Sequence, residues 1–527
     1  MRRFQGSTVH GSRFRPAVIR IVAWGAWLVG AGAAWGQIPE STPPLPAGYR
    51  DAIIASAGSD VVLRIGLSDC IAYALKQNSE ILIRRIDPLI RADSVAIAEA
   101  EFEPALNAGY TLSDSSSPTV SASLPEVLDG REQEIGANVS GKLTTGMGYT
   151  VGLTAGRSDT NLDGLRFNPS YTAVPAITIT QPLLKGFGTK VNRAAITIAQ
   201  NDLRRSSAEF QNTAMDVVTK TLAAYYAYIF SLDRYALDEL SLNRARDLLS
   251  ADSARYAKGI VSSVDLLENE AAVAQREKAL ISSEAAMKTA EDELKYVTNL
   301  VDDPVLWNAR IEPIEKPRFA VQTAKLGEAL VNAFSWRPDY RAALIGLENY
   351  DIRITTAKNA VLPVVDLFGA YALNGLGEDW QEAFQNLEGD RRDWSAGVAL
   401  RVPWGGGDRA NLRQKEQEKA QALLNLRRLE QTIVLEVRNR ARAVDTQRRQ
   451  VEAAASVQAK ESENYEAQRE RYAAGQVSTH DMLDYQDRLT EAELDYLRAR
   501  LDYSLAQITF DRSQGLTLTK NYVQIEE

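Results

Sequence analysis

Arg255-Tyr256-Ala257-Lys258-Gly259-Ile260-Val261-Ser262-Ser263-Val264-Asp265-Leu266-Leu267 returns 216 positions later as Arg471-Tyr472-Ala473-Ala474-Gly475-Gln476-Val477-Ser478-Thr479-His480-Asp481-Met482-Leu483. A glycine can end a helix in the left-handed conformation at little steric cost, so each stretch is expected to be the turn of a helical hairpin. A repeated turn also reveals a duplication, and a duplication dictates architecture. Working outward, Leu67, Ile71, Ala74 and Leu75 match Leu326, Leu330, Ala333 and Phe334, and Ala98 and Pro104 match Ala357 and Pro363, all at an offset of 259. The chain therefore reads as two copies of one plan, residues 65–300 and 326–516. Between them lies a linker at 301–325 with Pro304, Pro313 and Pro317, and a tail follows at 517–527.

Within each copy a short helix and a helix ending near Pro104 or Pro363 lead into alternating segments, about 102–182 and 363–403. Gln181-Pro182-Leu183-Leu184-Lys185-Gly186-Phe187-Gly188 and Val402-Pro403-Trp404-Gly405-Gly406-Gly407 then mark where strand becomes helix, because proline stops regular pairing and glycine permits redirection. Helical hairpins follow at about 192–300 and 411–512. Val437, Ala441, Val444, Val451 and Ala455 form one coiled-coil stripe, and Leu494, Leu497, Leu501 and Ile508 another. A helix of roughly 60 residues would extend about 90 Å, enough to cross a periplasm.

The alternating segments set Trp394, Ala396, Val398, Leu400 and Val402 on one face and Ser395, Gly397 and Arg401 on the other. Val365, Leu367, Tyr371 and Leu373 do the same opposite Asp366, as do Leu106, Ala108, Tyr110 and Leu112, and Ile177 and Ile179. That is the pattern of a lipid-out, lumen-in barrel strand, with Tyr110, Tyr171, Tyr371 and Trp394 available for interfacial girdles.

Composition excludes much else. Arg2, Arg3, Arg13, Arg15 and Arg20 precede an uncharged run, Ile21 to Gly36, so residues 1–36 read as a cleaved secretory leader and 37–64 as a Pro-rich segment. Cleavage would take the net charge from -9 to -14, which disfavours nucleic acid as a partner. Cys70 is the single cysteine and lies far from the expected cut, so neither an intramolecular disulfide nor an N-terminal lipid is expected. One histidine, His480, would remain, too few for a His-rich metal site or a catalytic triad. No cofactor, metal or catalytic residues are expected, and the chain does not read as an enzyme. With no apolar stretch of spanning length beyond the leader, a membrane crossing would have to be a closed β-barrel.

The doubled Tyr-x-x-Gly-x-x-Ser turn, the Gln181-Pro182-Leu183-Leu184 passage and the tandem order of helix, strand pair and long hairpin resemble the TolC-like outer-membrane efflux proteins. The resemblance covers most of Leu67 to Gly515. It implies a mainly α fold with a membrane β part: a homotrimer whose chains share one β-barrel in outer-membrane lipid, continuous with a periplasmic α-barrel. It implies a passive exit duct joined through a periplasmic adaptor to an inner-membrane pump, in tripartite efflux or type I secretion. An adaptor or structural coiled coil is the competing reading, but an adaptor would carry one hairpin between compact domains.

By the same resemblance, Tyr256, Gly259, Ile260, Val261, Tyr472, Gly475, Gln476 and Val477 form the adaptor-contact tip, and Asp481 and Asp484, with Asp265 and Glu268 in the first copy, ring a pore constriction. Some relatives hold a latching arginine two residues after the second glycine, where this chain has Val477. The family carries four strands per chain. Here the first copy has a surplus before Pro182: Ile135, Ala137, Val139 and Leu143 alternate with Gly136, Asn138, Ser140 and Lys142, and Tyr149, Val151, Leu153 and Ala155 with Thr150, Gly152, Thr154 and Gly156. Two further strands are expected there, around the short turn Thr144-Thr145-Gly146-Met147-Gly148.

Overall fold

A computed structural model describes residues 62–120, 125–315, 324–388 and 390–523. The expected leader at 1–36 and most of the Pro-rich segment lie outside the described residues. The first copy opens with β1 (Val62–Ile65), α1 (Leu67–Gln77) and α2 (Ser79–Glu99). Four strands follow: β2 (Ala105–Pro118), β3 (Val127–Lys142), β4 (Gly148–Thr160) and β5 (Ser170–Pro182). The first hairpin is α3 (Ala194–Tyr256) and α4 (Ser263–Val297), after which β6 (Arg310–Pro313) pairs in parallel with β1.

The second copy runs α5 (Leu326–Trp336), α6 (Pro338–Ala360), β7 (Val364–Leu373), β8 (Gly375–Gly377), α7 (Trp380–Gln385), β9 (Arg392–Arg401), α8 (Gly407–Ala473) and α9 (Thr479–Ser513). Among the described residues no helix is long and apolar enough to cross a membrane.

The large sheet is antiparallel in the order β2-β3-β4-β5-β7-β9, with β8 beside the far end of β5. Its register carries one apolar row across all six strands: Leu106, Val139, Val151, Ile177, Tyr371 and Trp394 are successive partners. On the other face Asn107, Asn138, Gly152, Ala176, Ala372 and Asp393 are partners. Leu106, Val139, Val151, Ile177, Tyr371 and Trp394 are all exposed, so the row faces no core of this chain. Period-two alternation sorts the residues this way because a one-residue slip would exchange the faces.

Below the sheet the helices lie side by side in the order α2, α3, α6, α8, and farther along in the order α4, α3, α9, α8. Val437, Ala441, Val444 and Val451 are buried in the seam, as the stripe predicts. A midsection core joins Ile65, Cys70, Tyr225, Tyr228, Leu294, Leu300 and Ile311. Burying side chains such as Leu294 and Ile311 stabilises by about 1.5–3 kcal/mol each. Tyr228 donates its hydroxyl to the Ile311 carbonyl at 2.7 Å, tying the small sheet onto the first hairpin.

Candidate functional site

The two Tyr-x-x-Gly turns build the same backbone. Gly259 (φ 74°) and Gly475 (φ 76°) are left-handed, the conformation their missing Cβ permits. In the first turn the Gly259 N–H donates to Tyr256 O at 2.8 Å and the Ile260 N–H to Arg255 O at 3.0 Å. In the second, Gly475 N–H to Tyr472 O and Gln476 N–H to Arg471 O are both 3.0 Å, so each helix end satisfies its carbonyls by one pattern.

A serine caps each returning helix. Ser262 Oγ accepts from the Asp265 N–H at 3.2 Å, and its own hydroxyl and N–H donate to Asp265 Oδ2 at 2.7 and 3.0 Å. Those bonds, the hydroxyl first, hold the Asp265 carboxyl below its usual range. Ser478 accepts from the Asp481 N–H at 3.1 Å and donates to Asp481 Oδ2 at 2.7 Å. Asp484 pairs with Arg488 at 2.7 Å, and Glu268 lies 3.7 Å from His480 Nδ1. Asp265, Asp481 and Asp484 thus have partners within this one chain, the first two beside the serines that cap their helices, whereas Glu268 Oε2 takes no hydrogen bond among the described residues.

Side chains separate the turns. Tyr256 is 46% exposed and Ile260 70%, with Val264 and Leu267 also open, so the first tip presents an apolar surface. Tyr472 is only 7% exposed, and its hydroxyl donates to the carboxylate of Asp252, which is wholly buried. Asn269 Nδ2 at 2.8 Å and Thr479 Oγ1 at 3.0 Å donate to the same carboxylate. The Arg255 guanidinium lies over the Tyr472 ring at 4.6 Å and donates to the Tyr472 carbonyl at 3.2 Å. Burial, and then the bond to Asp252, push the Tyr472 phenol up to about 12.

This network takes Asp252 and Arg255 from α3, Asn269 from α4, Tyr472 from α8 and Thr479 from α9, so it fastens one hairpin to the other. Val477 packs against the Leu248, Tyr465, Tyr472, Met482 and Leu489 cluster below it. Farther from the tip, Arg244 forks onto Glu493 at 3.0 and 3.2 Å, and Arg276 reaches Asp487 at 2.6 Å. The sequence reading singled out neither Asp252 nor Asn269. The available signal was a difference between the copies: 216 positions after Asp252 stands Gln468, whose bonds stay within α8.

A sequence profile of the family described as outer membrane efflux protein matches residues 73–300 and 329–516. A search of curated proteins finds no significant match. Among solved structures the chain is similar to a membrane protein from Pseudomonas aeruginosa at 20% identity and TM-score 0.64, over 86% of this chain and 94% of that one. It is similar to the outer membrane protein VceC from Vibrio cholerae at 16% identity and TM-score 0.63, over 85% and 96% of the two chains. For the CmeC outer membrane channel of Campylobacter jejuni the identity is 17% and the TM-score 0.62, over 85% of each.

Proposed function

This chain belongs to the outer membrane efflux protein family, and from that premise we propose that three copies form one passive exit duct, a β-barrel in the outer membrane running into an α-helical tube in the periplasm. The chain is an outer-membrane efflux channel; the duct reading assigns it no catalytic step. The observation that carries the trimeric reading is an open-edged sheet, apolar on one face, that continues directly into helices of 63 and 67 residues. At 1.5 Å per residue these reach about 95–100 Å. A soluble spacer would have no use for such a sheet face.

We further propose that residues 1–36 are removed as a leader, and that an adaptor docks on the tips and joins the duct to an inner-membrane pump. Exposed Tyr256 and Ile260, with Val261 and Gly259, would supply the apolar contact, while Gly475, Gln476 and Val477 shape the second tip around buried Tyr472. Asp484, with Asp481, Asp265 and Glu268, would ring the entrance and raise the local cation concentration. The test is to solubilise the protein from outer membranes, crosslink it and weigh the complex, then record single channels in planar bilayers. Three chains and a cation-preferring conductance that D481N/D484N weakens are expected. A soluble monomer without conductance overturns the duct, and unchanged selectivity in the double variant overturns the acidic ring.

A further inference from the structure

We propose that the β3–β4 hairpin is part of the barrel wall, so that β9 of each copy pairs with β2 of the next and three copies close an eighteen-stranded barrel as wide as the helical tube beneath it. The inference rests on the trimeric duct reading and concerns its bore. The occupant of both open sheet edges is a second copy of this chain.

Four observations carry it. First, β3 and β4 stand between β2 and β5, whereas a hairpin folded over the outside would leave β2 paired directly with β5. Second, the hairpin shares the in-out sorting of its neighbours: Val139 and Val151 lie in the outer apolar row, and Asn138 and Gly152 in the inner one. Third, its turn is fixed to the rim where β5 becomes helix. The Gly188 N–H donates to Thr145 O at 3.0 Å, and a Cβ on Gly146 (φ 98°) would lie 2.3 Å from Gly186 O, which leaves no room for any other residue.

Fourth, the two edges of the sheet are the two edges of the helical layer. α2 leads into β2 and β9 leads into α8, and both helices are the outermost of their row. An even number of antiparallel strands makes β2 and β9 run in opposite directions, so the edges of adjacent copies meet as an antiparallel pair. Both open helices carry exposed apolar side chains, Ile83, Ile86, Leu89 and Ile90 on α2 and Leu423 and Leu424 on α8. Closing one layer therefore closes the other.

The widths agree. Strands about 4.8 Å apart and tilted about 40° each take up roughly 6 Å of circumference, so eighteen give about 110 Å and twelve about 75 Å. Four helices per chain at about 9–10 Å spacing give roughly 110–120 Å for three chains. At this tilt and spacing eighteen strands match the width of the tube. The barrel then imposes no constriction on bulky cargo, and selection by size falls to the tip.

The test uses the full chain in outer membranes, in a Cys70→Ser background. In an eighteen-stranded wall Asn107 and Ala176 are separated by two intervening strands, about 14 Å, beyond disulfide reach. N107C/A176C should therefore stay reduced, whereas single cysteines on β2 (Asn107, Gly109, Thr111) combined with Ser395, Gly397 or Ala399 on β9 should yield covalent trimers. Asn138→Cys and Thr154→Cys should react with an impermeant maleimide, and Val139→Cys and Val151→Cys should resist it. Removing residues 127–160 takes out an even number of strands, and the bore area probed by polymer exclusion from the outer face should fall roughly twofold. A disulfide between positions 107 and 176 within a trimer overturns the wide barrel and leaves the duct standing. Monomers with no intermolecular disulfide at any pair overturn the duct itself.

Discussion

The two hairpin turns share a backbone and differ in what their tyrosines do. Tyr256 closes the first turn and stays exposed; Tyr472 closes the second and donates its hydroxyl to Asp252 on the other hairpin. Duplication supplied two identical folding signals, and divergence at single positions gave one tip a surface and the other a fastening. The backbone bonds of a turn are local and survive in both copies. The fastening is not local: Tyr472 and Asp252 are 220 residues apart.

The largest expected effect sharpens this contrast at Asp252 and its counterpart Gln468. Asp252→Ala strips a buried acceptor from three donors, Tyr472, Asn269 and Thr479, and should cost about 3 kcal/mol or more. Gln468→Ala removes only contacts within α8 and should stay within about 0.5 kcal/mol. Urea unfolding followed by helical circular dichroism measures both, and single-channel recording should show a larger open conductance for Asp252→Ala alone. Equal losses at the two sites would mean the tips are fastened alike.

Next in size is the tyrosine pair itself. Tyr472→Phe keeps the ring against Arg255 but removes one donor to a buried carboxylate, an expected loss of about 1–3 kcal/mol. Tyr256→Phe changes an exposed hydroxyl and should be near neutral for unfolding. If Tyr256→Phe destabilises as much, the first tip carries a fastening of its own.

These effects also show what was readable in the sequence. The hairpins, their turns and the extra strands were legible because each is written in local periodicity: a left-handed glycine, a coiled-coil stripe, alternation by two. The caps went unread: Asp265 and Asp481 are expected from the sequence only as pore acids, although the Ser262-x-x-Asp265 and Ser478-x-x-Asp481 spacing also fits an N-cap. Asp252 was hidden because a single polar residue in a long amphipathic helix looks solvated until the other hairpin arrives.

A third effect is set by pH. The Tyr472 phenol is pushed up to about 12 against about 10 in the unfolded chain, so the folded state holds its proton more tightly. The stabilisation is fully present below pH 10 and is lost as pH rises from about 10 to 12. Tyr225, pushed up to about 12 by burial in the midsection, titrates in the same window, so the quantity to measure is wild type minus Tyr472→Phe. That difference should shrink toward zero across the window. A difference that stays constant to pH 12 would mean that the phenol's proton plays no part in the fastening.

The smallest effect lies in the caps, where the copies are most alike. The Asp265 carboxylate accepts the Ser262 hydroxyl and N–H and is held below its usual range, so its contribution is present above the unfolded value of about 3.9 and is lost as pH falls through the folded one. Asparagine keeps the size and loses the charge. In Asp265→Asn, amide hydrogen exchange at residues 262–266 should quicken slightly at neutral pH, and wild type should converge on the variant as acid protonates the carboxyl. At neutral pH residues 478–482 should also quicken in Asp481→Asn, because the Asp481 carboxylate accepts the Ser478 hydroxyl. Should exchange at neutral pH be unchanged in both variants, the carboxylates are not engaged at the helix starts, and their charge is free to act on ions at the entrance.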